Sequence, residues 1–181
     1  VAMAEKYFGG TLPECREADE KLDASLIDPA LELRDKVAAY MDQTQLNNAL
    51  AEIFKVISRA NKYIDETTPW ILGKDESRKA RLASVLYNLL EVIRITTTLL
   101  SCFMPTSMPK AWAQIGATEN LITYENAAKF GVLPANVTVH KGDALFPRID
   151  TDKEIDELNA LIKGQMEKAI AAQQPKAEVP G

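Results

Sequence analysis

Apolar side chains recur at intervals of three and four residues along much of the chain, the spacing of one face of an α-helix. The clearest stretch, Leu46 to Ile64, covers roughly five helical turns. A longer one runs from Leu82 to Met104. We predict that both are amphipathic helices that bury one face. Those faces comprise Leu46, Leu50, Ile53, Ile57, Ala60 and Ile64 in the first, and Leu82, Val85, Leu86, Leu89, Ile93, Thr97, Leu100, Phe103 and Met104 in the second.

An earlier helix is predicted to begin at Asp28-Pro29, because Asp28 can accept a backbone N–H and proline suits a first helical turn. The preceding segment, residues 11–26, is acidic and rich in turn formers, and we interpret it as a solvated loop. Thr44 is the predicted cap of the helix that contains Leu46.

A turn joins the two long helices and carries Pro69-Trp70, with Asp75 or Ser77 as the predicted cap of the second helix. A tryptophan held between two rigid helices is suited to stacking on a flat base. A lid over the core is the more common role of such a tryptophan. The pattern of residues leaves both interpretations open.

The C-terminal third is predicted to be less regular. Residues 109–115 form a short helix with Trp112 toward the core, and residues 117–133 form short or irregular pieces. Residues 136–149 alternate β-branched side chains, which predicts a small hairpin or an extended arm. A capping box, Thr151 to Glu154, begins the last helix. The apolar face of that helix is Ile155, Leu158, Leu161, Ile162 and Met166.

The predicted fold is therefore all-α, an antiparallel helical bundle with a partly extended C-terminal arm and a final helix. Residues 1–116 form the bundle core, residues 117–172 form the arm and last helix of the same domain, and residues 173–181 form a linker. The first residue is Val1 and lies within a helical pattern, so we expect the chain to be a piece of a larger protein.

Composition narrows the function. A net charge of −5 and a pI of about 5.0 argue against non-specific binding of nucleic acid by a basic surface, but not against local contacts that read bases. The apolar run 95–103 is interrupted by threonines, so no membrane span is expected. Two cysteines without paired spacing and a single histidine, His140, predict no zinc site and fit a reducing cytoplasm.

No motif for catalysis is recognisable, because the sequence lacks glycine-rich phosphate loops and a nucleophile elbow. We therefore expect no catalytic residue, metal or cofactor in this chain, and recognition remains as its role. Cations in the first turns of the second long helix, Arg78, Lys79 and Arg81, oppose the helix dipole and hint at an external anion. Lys55, Arg59 and Lys62 fall in one row, which is either a solvated face or a phosphate-contacting stripe.

The segment ISRANKYIDETTPWILGKD, continued by RLASVLYNLLEVIRITTTLLSCFMPTSMPKAW, resembles the anticodon-binding helical domain of bacterial methionyl-tRNA synthetases. VAMAEKYFGGTLP near the start and HKGDALFPRID near the end resemble the same family at matching positions. The resemblance covers Val1 to about Ile170.

The resemblance implies an all-helical domain that follows a catalytic domain and binds the CAU anticodon of methionine tRNA, with Trp70 at the anticodon. It places further anticodon residues in an Asn-x-x-x-Arg pattern just upstream of Val1. The parent enzyme charges the tRNA with methionine using ATP, and its catalytic signatures lie outside this sequence. The implied partners are the anticodon loop and the catalytic domain, without a membrane. Possible contacts to the RNA backbone are Lys6, Lys55, Arg59, Lys62, Lys74 and Arg78.

Residues 174–181 also resemble a linker that leads, in many bacterial members of the family, to a tRNA-binding OB-fold module. An alternative of another class is a non-enzymatic helical module for protein–protein interaction or dimerisation. The acidic pI and the amphipathic helices are compatible with it.

Overall fold

The computed structural model describes residues 1–14 and 16–173. Within those ranges the structure is helical, with one isolated antiparallel bridge between Thr11 and Thr138 and no strand. The all-α prediction is confirmed. The helices are α1 (Ala2–Phe8), α2 (Glu20–Asp42), α3 (Leu46–Thr67), α4 (Pro69–Leu72), α5 (Lys79–Leu100), α6 (Met108–Gln114) and α7 (Thr151–Gln173). Short 3₁₀ turns occupy Glu76–Arg78, Glu119–Leu121 and Glu125–Ala128.

Helix α5 is the centre of the bundle, packed by α2, α3, α4 and α6. It is buried on nearly every side, whereas the sequence pattern predicted a single apolar stripe. The periodicity was incomplete because polar residues such as Thr96 and Thr98 are also buried, each bonding to a carbonyl one turn earlier. Conversely, Ile93 of the predicted stripe is 37% exposed.

By length and composition alone, residues Glu76–Leu100 are apolar enough to cross a membrane, which the sequence analysis did not expect. The most apolar window of this segment is 78% buried inside the protein. The segment also holds two buried ion pairs, made by Arg81 and Arg94. These features identify it as the core helix of the bundle.

Helix α2 begins at Glu20, so the predicted start at Asp28-Pro29 is wrong. Asp19 is the N-cap, and its side chain accepts a hydrogen bond from the Leu22 amide at 3.1 Å. Pro29 lies inside the helix and has no N–H to donate to the Ser25 carbonyl one turn earlier. The Arg59 side chain supplies that donor, with Nε 3.1 Å from the Ser25 oxygen.

Helix α3 buries a face that is offset from the predicted one. Its deepest side chains are Ala49, Ile53, Val56, Tyr63 and Thr67. Of the predicted stripe, only Ile53 is fully buried, its first residue, Leu46, is 53% exposed, and the other four members are half-buried. The N-cap is Gln45 rather than Thr44, which has a positive φ of 58° in the connection from α2.

A buried ion pair organises the irregular segment 117–133. Glu91 and Arg94, one turn apart on α5, are both fully buried and pair at 2.8 Å. Both side chains also hydrogen-bond to the backbone of this segment. They thereby satisfy backbone groups that have no partner in a regular helix or strand. The backbone partners are the carbonyls of Leu121, Asn126 and Lys129 and the amides of Gly131 and Leu133.

The chain divides into two compact units, Val1–Leu145 and Phe146 onward. In the first unit, the arm is extended and pairs with the segment after α1 instead of folding into a hairpin. The Leu12 amide donates to the Val137 carbonyl at 3.0 Å, and the Val139 amide donates to the Gly10 carbonyl at 2.8 Å.

The second unit contains α7. Asp150 precedes this helix and accepts a hydrogen bond from the Lys153 amide at 3.4 Å, so the helix is capped one residue before the predicted capping box. The predicted apolar face lies at the surface, between 50% and 64% exposed: Ile155, Leu158, Leu161, Ile162 and Met166. Of the predicted linker, residues 174–181 lie outside the described residues.

Candidate nucleic-acid interface

The turn that carries Trp70 is a rigid, outward-facing element. After α3, Thr68 takes a left-handed conformation with φ 43°, and the four-residue helix α4 follows. Pro69 and Leu72 are buried, whereas Trp70 is 41% exposed and Ile71 is 53% exposed. The inward pair fixes the helix, so the outward pair forms an apolar surface that faces solvent.

Backbone hydrogen bonds and a close contact hold this turn. The Ile71 amide donates to the Thr68 carbonyl at 2.8 Å, and the Gly73 amide donates to the Pro69 carbonyl at 2.9 Å. The Tyr7 ring of α1 lies so close to Gly73 that a Cβ there would be 2.4 Å from it. A side chain at position 73 would therefore force the Tyr7 ring to shift away from the turn.

The Trp70 indole N–H makes no hydrogen bond to any of the described residues. The protein's other tryptophan, Trp112, behaves differently: it is partly buried against the core, as predicted, and its Nε1 donates to the Thr97 hydroxyl at 3.0 Å. Trp70 is thus partly exposed, and its indole N–H has no hydrogen-bond partner among the described residues.

Three of the predicted cations lie at the same end of the bundle as Trp70. Lys74 and Arg78 follow α4 directly, and Lys6 is next to Tyr7 on α1. All three are exposed, and none forms an ion pair within the described part of the chain. The Lys6 ammonium lies over the Tyr7 ring, 5.1 Å from the ring centroid, and all three residues are exposed to solvent.

The other three predicted cations are engaged within α3 and with its neighbours. Lys55 pairs with Glu52 at 2.5 Å, and Lys62 lies 3.8 Å from Glu66. Arg59 pairs with Glu66 at 2.6 Å and also donates to the Ser25 carbonyl of α2. This hydrogen bond from Arg59 holds the pKa of Glu66 below its ordinary value.

Arg81 has an internal partner, so the external anion suggested by its position is not needed. Its two terminal nitrogens donate to the two carboxylate oxygens of Asp23 at 2.8 and 2.7 Å. The acidic segment was interpreted as a solvated loop, yet Asp23 is only 5% exposed. Sequence reasoning missed this pair because the two residues are 58 positions apart.

The ionisation of Asp23 reflects its partners. Burial disfavours the carboxylate, but hydrogen bonds from Arg81, the Tyr63 hydroxyl and the Asp19 amide outweigh it, so the pKa of Asp23 lies below 3.8. Burial and the bond to Asp23 raise the pKa of Tyr63 well above its ordinary value. At neutral pH the pair is therefore a carboxylate with a neutral phenol.

The exposed Trp70 and Ile71 and the cations near them form a surface suited to recognition. Among residues 1–14 and 16–173, no three His, Cys, Asp or Glu side chains are placed to hold a metal ion. Ile71 is an exposed member of this surface that the sequence analysis did not single out. The sequence PWIL could have indicated this exposure. All four residues of α4 are apolar, and with Pro69 and Leu72 facing inward, Trp70 and Ile71 must face outward.

Comparisons with known proteins agree with this arrangement. The family described as "Anticodon binding domain of methionyl tRNA ligase" matches residues 12–167. A methionine–tRNA ligase of Caldanaerobacter subterraneus is 51% identical over 158 residues, which are 87% of this chain and 24% of that protein. The ligase of Clostridium tetani is 48% identical over 161 residues, 89% of this chain and 25% of its own. The chain thus spans about a quarter of the length of these relatives.

Solved structures show the same fold. The apo form of Mycobacterium tuberculosis methionyl-tRNA synthetase superposes with a TM-score of 0.74 at 30% sequence identity, covering 82% of this chain and 30% of that chain. The same enzyme bound by methionyl-adenylate gives a TM-score of 0.72 and covers 80% of this chain. The chain belongs to the family of anticodon-binding domains of methionyl-tRNA ligase.

Proposed function

We propose that this chain is the part of a cytoplasmic methionine–tRNA ligase that binds the CAU anticodon of methionine tRNA. The Trp70 indole stacks on, or packs against, an anticodon base. The parent enzyme charges that tRNA with methionine using ATP, through a catalytic domain that partners this one. The observation that carries the proposal is the 41% exposed indole on a helix fixed by buried neighbours.

Stacking is the interaction that this surface supplies best. Single-stranded RNA loops are recognised by unstacked bases placed on aromatic rings, and each such stack contributes about 1–3 kcal/mol. Lys6, Lys74 and Arg78, which form no ion pair with the described residues, provide charge for the backbone of the loop. Because the protein is acidic overall, with a net charge of −5, these local cations set where an RNA docks rather than how strongly any RNA binds.

A fluorescence titration tests the proposal. Trp112→Phe leaves Trp70 as the sole indole, so quenching on addition of an anticodon-arm RNA reports contact at Trp70 itself. The arm with the CAU anticodon is compared with one in which those three bases are reversed. We expect saturable quenching by the CAU arm and at least tenfold weaker binding of the reversed arm, by about 1.4 kcal/mol.

Two substitutions separate stacking from folding. Trp70→Ala is expected to weaken CAU-arm binding about 5- to 150-fold, the range for the loss of one stack. Phe54→Ala is the matched control, because Phe54 is a similarly exposed aromatic residue, at 47%, well before the end of α3. Circular dichroism must show both variants folded. Unfolding of Trp70→Ala supports the core-lid role, and equal or absent binding of both arms favours the protein-interaction alternative.

A further inference from the structure

A buried polar network joins α2, α3 and α5 through residues that lie on both sides of the Trp70 turn in the sequence. The Asp23 carboxylate of α2 accepts both terminal nitrogens of Arg81 from α5 and the hydroxyl of Tyr63 from α3, the last at 2.5 Å. Asn88 of α5 also donates to the Tyr63 hydroxyl, at 3.3 Å. Tyr63 is fully buried, and Asp23 and Arg81 are at most 7% exposed.

This network holds both ends of the chain segment that contains Trp70. Tyr63 lies one helical turn before the end of α3, and the hydroxyl of Thr67 donates back to its carbonyl at 2.7 Å. Arg81 is the third residue of α5, just beyond the 3₁₀ turn that follows α4. Tyr63 before the turn and Arg81 after it thus both hydrogen-bond to the Asp23 carboxylate.

We propose that Asp23, Arg81 and Tyr63 are positioning residues for Trp70, fixing the two helix ends between which α4 presents the indole. The inference rests on the proposed function, since it assigns the rigidity of the turn to base recognition. A buried ion pair is not required for stability, because well-packed apolar side chains of similar volume stabilise equally well or better. What apolar packing lacks is a fixed register between helix ends, which directional hydrogen bonds to one carboxylate provide.

The mildest test is Tyr63→Phe, which keeps the ring and the ion pair and removes the hydrogen bond that ties α3 to Asp23. Amide hydrogen exchange of Ile71 and Gly73, whose N–H groups close α4, reports the opening of the turn without any RNA. We expect exchange at both amides to become about tenfold faster, because hydrogen bonds to charged groups are the stronger ones. Binding of the CAU arm is expected to weaken about 3- to 10-fold, since an indole with more orientations stacks less well.

Asp23→Asn is expected to act in the same direction more strongly, and Tyr63→Phe keeps the test available if Asp23→Asn does not fold. The control is Glu91→Gln, which damages the other buried ion pair of α5 far from the turn. It is expected to lower the melting temperature while the exchange of Ile71 and Gly73 and the RNA affinity stay as in the parent chain. All measurements are made well below the melting temperatures.

The outcomes separate the two proposals. If Trp70→Ala weakens RNA binding but Tyr63→Phe and Asp23→Asn leave binding and exchange unchanged, the positioning role is overturned and the proposed function stands. The same holds if Glu91→Gln changes both readouts as much as Tyr63→Phe does, because the network then contributes stability only. If Trp70→Ala leaves RNA binding intact, the proposed function fails, and the positioning role fails with it.

Discussion

The Nε atom of Arg59 donates to the carbonyl oxygen of Ser25 at 3.1 Å, across the interface of two helices. Pro29 cannot donate to that oxygen, so a side chain from α3 does what the backbone of α2 cannot. A residue that looked available for RNA is thereby used inside the fold. The contact also allows α2 to extend through Pro29 from Glu20 to Asp42.

This relationship predicts a coupling between Arg59 and Pro29. Arg59→Met is expected to lower the free energy of unfolding by about 1–3 kcal/mol, because it leaves the Ser25 carbonyl unsatisfied. In a Pro29→Ala background, the amide of the introduced alanine can donate to Ser25, so the same substitution is expected to cost about 1 kcal/mol less. Urea unfolding of the four proteins measures the difference. Additive effects, within about 0.5 kcal/mol, would show that Arg59 does not serve this carbonyl.

The buried pair of Glu91 and Arg94 predicts a second result. Arg94→Met leaves an unpaired buried carboxylate and is expected to destabilise the protein by about 3–5 kcal/mol in urea unfolding. Replacing both partners, as Glu91→Leu with Arg94→Met, commonly restores stability in other proteins. Here we expect no recovery, because backbone groups of residues 121–133 lose their hydrogen-bond partners as well.

The control for this experiment is Lys36→Met, which breaks an exposed pair with Glu32 at 2.7 Å. Its effect is expected to stay below about 0.5 kcal/mol. A double variant as stable as the parent chain would contradict the role assigned to Glu91 and Arg94 in holding residues 117–133.

The lowered pKa of Asp23 predicts how stability depends on acid. Because the folded-state pKa lies below the ordinary value of 3.8, the charged form stabilises the fold above that value. This contribution is complete above about pH 5 and is lost as the pH falls through 3.8 towards the folded pKa. In urea unfolding, Asp23→Asn is therefore expected to lower the free energy of unfolding by about 3–5 kcal/mol at pH 7. This difference from the parent chain is expected to shrink below pH 4.

Asp35→Asn serves as the comparison, because Asp35 pairs with Arg34 at 2.7 Å but its side chain is 75% exposed. We expect Asp35→Asn and the parent chain to have nearly the same free energy of unfolding at every pH, as is usual for exposed pairs. An Asp23→Asn gap that stays constant from pH 7 to pH 3 would mean that Asp23 does not titrate as described.

Two glycines with similar backbone angles predict different costs of substitution. Gly116 has φ 68° and Gly131 has φ 77°, so alanine is strained at either position, by about 1–2 kcal/mol. A Cβ at Gly131 meets nothing within 4 Å, whereas one at Gly116 would lie 2.1 Å from the Thr138 carbonyl oxygen. Gly116→Ala is expected to cost a further ~1–3 kcal/mol, because the arm must move. Thermal or urea unfolding compares them, and equal costs would argue against this packing of the arm.

Periodicity predicted the long helices α3 and α5 and the connection between them, because both depend on residues close together in sequence. It placed Trp70 in that turn, and the resemblance on the segment around it anticipated the family to which the chain belongs. It did not predict the start of α2, since proline is typical of first turns and only a contact with Arg59 makes Pro29 acceptable in an interior.

The tertiary structure decided the partners of the charged groups. Asp23 with Arg81, and Glu91 with the amides of Gly131 and Leu133, are contacts between residues from 40 to 58 positions apart, and no local pattern encodes them. It also decided that Trp70 is 41% exposed while Pro69 and Leu72 of the same short helix are buried. The reason is physical: local sequence sets backbone propensity and the spacing of apolar residues, whereas the burial of a side chain depends on the surfaces that other segments bring against it.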